Sequence, residues 1–154
     1  MLEFILFLSS GDKEILKLLY EAGFFVTENT PECLISNKFF GFFKKSKRTI
    51  IICTKNAMKI GGYFIPKTHE DTFDPTKIYI KKALRHEAVH AAQLCNNGQL
   101  LNMVDKSKMK LHPFKKEALE GSTKFSGNRL KEYEAYWMED RPKLVKKALK
   151  KYCL

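Results

Sequence analysis

The sequence predicts an α+β domain: a small, mostly antiparallel sheet packed against one central helix, followed by C-terminal helices. Three observations carry this. Lys82 to Gln93 has no Pro or Gly, is rich in Ala, and leads a stripe of Leu84, Ala88, Ala91 and Cys95 at spacings of three or four. Thr49-Ile50-Ile51-Ile52-Cys53 is an unbroken β-branched run of strand length, the pattern of a strand buried on both faces. After residue 128 two helical patterns follow one another, divided by Asp140-Arg141-Pro142.

Taken in order, residues 2–8 are a short apolar run in which periodicity does not separate strand from helix. Asp12 is expected to cap a helix running to Gly23, with Ile15, Leu16, Leu18, Leu19 and Ala22 on its core face. Phe24-Phe25-Val26 and Cys33-Leu34-Ile35 flank a turn-rich segment with Pro31. Phe39-Phe40-Gly41-Phe42-Phe43 reads as a buried strand with a glycine bulge. Next to Lys44 to Arg48 it also has the composition of a base-stacking platform, but core aromatics beside a solvated turn are the simpler reading. Tyr63-Phe64-Ile65 reads as a strand ended by Pro66, and Lys77-Ile78-Tyr79-Ile80 as a short strand leading into the central helix. His69, in the polar loop between them, reads as a surface residue. Asn96-Asn97-Gly98 stops the central helix. Phe114 to Leu119 suggests a short helix. Asn128 or Ser126 can cap a helix over Arg129 to Glu139, and Asp140 can cap the last one. That last helix has Leu144, Val145, Ala148, Leu149 and Tyr152 on one face and five lysines opposite, the pattern of a docked amphipathic helix. No repeat or boundary divides the chain, so residues 1–154 read as one domain.

Of the 154 residues 44% are hydrophobic and 12% aromatic, which excludes a disordered chain. Lys and Arg outnumber Asp and Glu by 28 to 17, a net charge of +11. That charge admits nucleic acid as a partner, but no nucleic-acid motif accompanies it, so it reads as a solvated basic surface. No stretch approaches the roughly 20 apolar residues of a membrane span. The start carries Glu3 and lacks a signal-peptide cleavage pattern. Cys33, Cys53, Cys95 and Cys153 lie far apart with no Cys-x-x-Cys, which argues against a cysteine zinc knuckle and a dense disulfide framework. Cys53 and Cys95 read as buried thiols, and a reducing cytoplasm is the expected setting.

Within the central helix, His86-Glu87-Ala88-Val89-His90 is His-Glu-x-x-His. Residues four apart share a helix face, so His86 and His90 can point two imidazoles at one ion. Glu87, next to the first ligand, can reach a water there and act as general base. A catalytic zinc site needs a third protein ligand and an open position. Gln93 and Asn96 stand where a metzincin has Gly and His, which excludes that class. His112 is a candidate, but it precedes Pro113 in an irregular segment. The helix carrying Lys131-Glu132-Tyr133-Glu134-Ala135-Tyr136 is the better source.

At these residues the chain resembles the gluzincin metallopeptidases, including their minimal members and the ImmA/IrrE-type domains of bacterial and phage proteins. In several of those families the downstream helix carries Glu-x-x-(Ala/Ser)-Asp, with the leading Glu as ligand. Glu132-Tyr133-Glu134-Ala135 matches four positions, and Tyr136 stands where the Asp would orient a zinc-bound His. The resemblance covers residues 80 to 136. It implies a zinc-dependent peptidase with zinc on His86, His90 and Glu132, or on Glu134 in an alternative register, and with Glu87 as base. It implies a peptide or protein substrate adding as a strand along a sheet edge, around Tyr63–Ile65 or Ile78–Ile80. For the developing oxyanion, Tyr133, Tyr136, His112 and Arg129 are candidate donors, with Tyr136 placed one turn from Glu132. The other function class compatible with the residues is a non-catalytic, regulatory zinc protein that binds nucleic acid or a protein partner through its basic surface. A fourth protein ligand such as His112 would close the site and favour it.

Overall fold

The computed structural model describes residues 2–61 and 75–154. It is a small α+β fold: among the described residues a three-stranded sheet lies on one side of a long central helix, and five further α-helices complete it. Tyr63–Ile65 and His69 lie outside the described residues.

The chain starts with a 3-10 turn, Glu3–Phe7, which resolves the ambiguity of residues 2–8. The Glu28 carboxylate accepts the Glu3 and Phe4 N–H groups and so caps this turn. Helix α1 (Ser10–Glu21) begins with a capping box. Ser9 Oγ accepts from the Asp12 N–H, and the Asp12 carboxylate accepts from the Ser9 N–H. Ser9 is therefore the cap, three residues before the expected Asp12, which sits inside the first turn. Gly23, at φ +82°, ends the helix. There the Phe24 N–H reaches the Leu19 carbonyl and the Gly23 N–H reaches that of Tyr20.

Strands β1 (Phe25–Glu28), β2 (Gly41–Lys44) and β3 (Thr49–Ile52) form a sheet in the order β1-β3-β2. The β1–β3 pair is parallel and the β2–β3 pair antiparallel, so the sheet is mixed rather than mostly antiparallel. As its β-branched run predicts, β3 is buried on both faces. Ile50 and Ile52 enter the main core, and Ile51 packs with Phe42, Cys33 and Cys53. The β2 strand starts only at Gly41 and pairs in unbroken register from Gly41↔Ile52 to Lys44↔Thr49, so Gly41 is not a bulge. Helix α2 (Thr54–Ile60) follows, and its Asn56 Nδ2 lies 2.9–3.1 Å from the carbonyls of Cys33, Ser36 and Phe39, fixing the loop ahead of β2.

Helix α3 (Pro75–Cys95) is the central helix and absorbs Ile78–Ile80, expected as a strand. The reason is spacing over a longer window. Thr76, Ile80, Ala83, Leu84, Ala88 and Ala91 form one buried line at helical intervals, while Ile78 is exposed. Helix α4 (Lys115–Ser126) is twice the expected length. Helix α5 (Arg129–Met138) is capped by Asn128, whose side chain accepts from the Lys131 N–H. Helix α6 (Pro142–Cys153) docks Val145, Ala148 and Leu149 into the core. Its cap position is Arg141. Asp140, expected there, instead pairs with Lys82 and Lys115.

The cysteines overturn another expectation. Cys33 is bonded to Cys53 and Cys95 to Cys153, so Cys53 and Cys95 are not free thiols. The partners are 20 and 58 residues apart in sequence, and only the fold brings their Cα atoms to 5.5 and 5.2 Å. Among the described residues no helix is long and apolar enough to cross a membrane.

Candidate metal centre

The α3 line that packs the core also sets the register of its functional face. With Leu84, Ala88 and Ala91 inward, His86 and His90 share the face toward α5. From α5 the Glu132 carboxylate meets them. His86 Nε2 lies 3.0 Å and His90 Nε2 3.2 Å from its two oxygens, and the two Nε2 atoms are 3.3 Å apart. The small Ala135, fully buried in the core, sits one turn along α5 from Glu132.

The other ring nitrogens fix the tautomers. His86 Nδ1 is 3.0 Å from Glu139 Oε2, an acceptor, so this nitrogen carries the hydrogen. His90 Nδ1 donates to Gln93 Oε1 at 2.8 Å, since Gln93 Nε2 is occupied in donating to Glu134 and to the Lys131 carbonyl. Both Nε2 atoms and a carboxylate therefore converge on one point, and once His86 gives up its Nε2 proton to an incoming ion this is a donor set that could hold a cation. The three ligand atoms lie within 4.8 Å of one another, and their chemistry fits zinc.

The supporting residues were not legible in the motif. Glu139, seven residues past Glu132, takes the orienting role that the missing Asp at position 136 left vacant. Lys115 holds its other oxygen at 2.8 Å and anchors to Asp140 and the Tyr136 carbonyl. Arg85 joins the same region to α1, pairing with Asp12 at 2.7 Å and donating to the Glu139 carbonyl. Glu134, the alternative ligand, points elsewhere. It accepts from Gln93 and from the Leu101 and Asn102 N–H groups. Truncation of Glu139 to Ala is expected to weaken metal binding about 10–100-fold with the fold intact, read by chelator competition and circular dichroism.

Charge is balanced within the group. Burial disfavours the His86 imidazolium, but Glu132 and Glu139 outweigh it and hold the pKa up at about 10. Burial would raise Glu132, yet hydrogen bonds from His86 and His90 hold it well below the ordinary carboxylate range. Glu87 is the outlier. Burial pushes its carboxyl up, offset only in part by the nearby histidines. It lines a cleft of about 290 Å³ together with His86, His90 and Glu132. Gly41 makes room for it: a Cβ there would stand 3.1 Å from Glu87 Cγ and 3.2 Å from Oε1.

The candidate oxyanion donors are committed elsewhere. The Tyr136 ring packs edge-on against His86 at 4.3 Å, but its hydroxyl accepts from Ser122 and donates to the Ala118 carbonyl on α4. Burial pushes that hydroxyl's pKa up. Tyr133 donates to the Met109 carbonyl, and Arg129 pairs with Glu120. His112 is exposed, stacked on Phe114, and no part of the metal group.

The family model described as Domain of unknown function (DUF8637) matches residues 4–154. No curated protein and no solved structure matches the chain.

Proposed function

The chain belongs to the DUF8637 family, and we propose that it is a gluzincin-type, zinc-dependent peptidase with Glu87 as general base. One observation carries the reading: two imidazole Nε2 atoms and one carboxylate converge at an open cleft, with a buried glutamate beside them. Among the described residues no fourth ligand joins the group, which favours a catalytic site over a closed, structural one.

His86, His90 and Glu132 would hold the ion. Zinc supplies Lewis acidity, acidifying a water and polarising a carbonyl. Glu87, with its pKa raised by burial, takes a proton from the attacking water and returns it to the leaving amine. Glu139 and Gln93 keep the two imidazoles aimed, and Tyr136 supports His86 through its ring. A peptide substrate would add along β2, the sheet edge whose Gly41 touches Glu87, in the role expected of Ile78–Ile80. A cytoplasmic setting stands only with the four cysteines reduced. The two bridges favour an oxidising compartment.

The test is zinc content by elemental analysis on wild type, His86→Ala and Glu132→Ala. About one zinc per chain is expected in wild type and a sharp loss in both variants. Zinc uptake should also release protons and strengthen as pH rises toward 10, because the proton on metal-free His86 competes with the ion. No zinc in reconstituted wild type would remove the peptidase reading.

A further inference from the structure

The cleft over the metal group has two features that the hydrolytic chemistry leaves unused. Strand β2 and helix α3 run side by side in the same direction. Gly41 lies against Ala83 and Glu87, while Lys45, just past β2, reaches Gly98, just past α3. A Cβ on Gly98 would stand 3.8 Å from Lys131 Nζ and 4.0 Å from Lys45 Nζ. Two ammonium groups, one from the β2–β3 connection and one from α5, thus approach one point at the α3 C-terminal end of the cleft. Both line it. Neither is paired with a carboxylate among the described residues, although Lys44 next door is held by Glu32. The α3 C-terminus attracts positive charge, but a terminus equivalent to about half a charge does not balance two cations.

The opposite end is apolar. Phe39 and Phe42, on the approach to β2 and within it, meet Phe125 of α4 in a triangle of rings with centroids 5.2, 5.3 and 5.6 Å apart. All three line the cleft, and Phe125 is 57% exposed. A large ring left in water beside two others is a contact surface waiting for an apolar group.

We propose that this cleft selects peptides that pair a large apolar side chain with a carboxylate. The side chain would lie on Phe39, Phe42 and Phe125, and the carboxylate between Lys45 and Lys131. Phe42 and Phe39 stand three and six residues before Lys45 along the β2 side of the cleft, so the two groups would be roughly three to six residues apart in an extended peptide. The carboxylate is either the chain terminus or an Asp or Glu side chain. The proposal rests on the peptidase reading for the fate of the peptide, but recognition is a binding property and is measured without turnover.

The experiment uses zinc-loaded Glu87→Gln protein and fluorescence anisotropy with labelled peptides on one Ala/Ser scaffold. The first carries Phe with a free terminal carboxylate five residues later. The others are its amide, amides with Glu five residues to either side of Phe, and the free acid with Phe replaced by Ala. The free acid or a Glu-bearing amide should bind at least fivefold tighter than the neutral amide, and replacing Phe should cost at least as much. The free acid alone being preferred identifies a terminal carboxylate, and a Glu amide matching it identifies a side chain. Adding Lys45→Met and Lys131→Met, which keep the apolar stems, should erase the acid preference and spare the Phe preference. Phe125→Ser should do the reverse. Equal binding of all peptides, no binding, or an acid preference surviving the Lys double variant overturns the proposal. Hydrolysis by zinc-loaded wild type is scored separately. Preference without hydrolysis sinks only the peptidase reading, and hydrolysis without preference sinks only this one.

Discussion

Glu87→Gln is expected to lower peptide turnover by about 10²–10⁴-fold while zinc content stays at the wild-type level. The substitution keeps the side chain's shape, and Glu87 is outside the three-ligand group, so the metal should not notice it. What is lost is a basic oxygen. The buried carboxylate can accept and return a proton, and an amide cannot. The measurement is turnover of a quenched-fluorescence peptide beside elemental analysis of the same sample. Turnover within threefold of wild type would deny Glu87 the role of base. Loss of zinc along with activity would make it a structural residue.

Arg85→Met is expected to cost about 3–5 kcal/mol of folding stability, because it strands the buried Asp12 carboxylate without its partner. Denaturant unfolding measures the loss, and the double variant with Asp12→Asn should recover part of it. The pH dependence separates this from simple loss of packing. Burial would raise Asp12, but Arg85 and Ser9 hold its carboxyl below the ordinary range. In the wild type this contribution is complete above the ordinary Asp pKa of about 4 and fades as pH falls through the lowered value. Without Arg85 only the Ser9 hydrogen bonds remain to offset burial, so the folded pKa rises and the loss of stability on acidification becomes shallower. An unchanged slope would mean that the pair does not govern Asp12.

The central helix, the buried β3 strand, the Asn128 cap and the docked terminal helix were legible because each is a local pattern of period or capping. So was the meeting of His86, His90 and Glu132, since the two histidines share one helix face and the downstream helix was the better source of a third donor. The rest depends on contacts between distant segments. The β2–β3 antiparallel pair is a short connection, but the β1–β3 parallel pair depends on where the chain returns. Lys77 to Ile80 misled because four residues cannot separate period 2 from period 3.6. Glu139 was hidden because its spacing from Glu132 departs from the known motif. The cysteine pairing was hidden because connectivity cannot be deduced from spacing.

The Cys95–Cys153 bridge closes a covalent ring that contains Glu132, Gln93's partner Glu134, and Glu139, with His86 and His90 just outside its knot. Through the bridge, the route from His90 to Glu132 is shorter than the route along the backbone. In the oxidised, unfolded chain the third ligand therefore stays on a tether to the first two, at a raised effective concentration. The shortening is less than twofold in residues, so the bridge would favour early gathering of the three side chains by only about a factor of two.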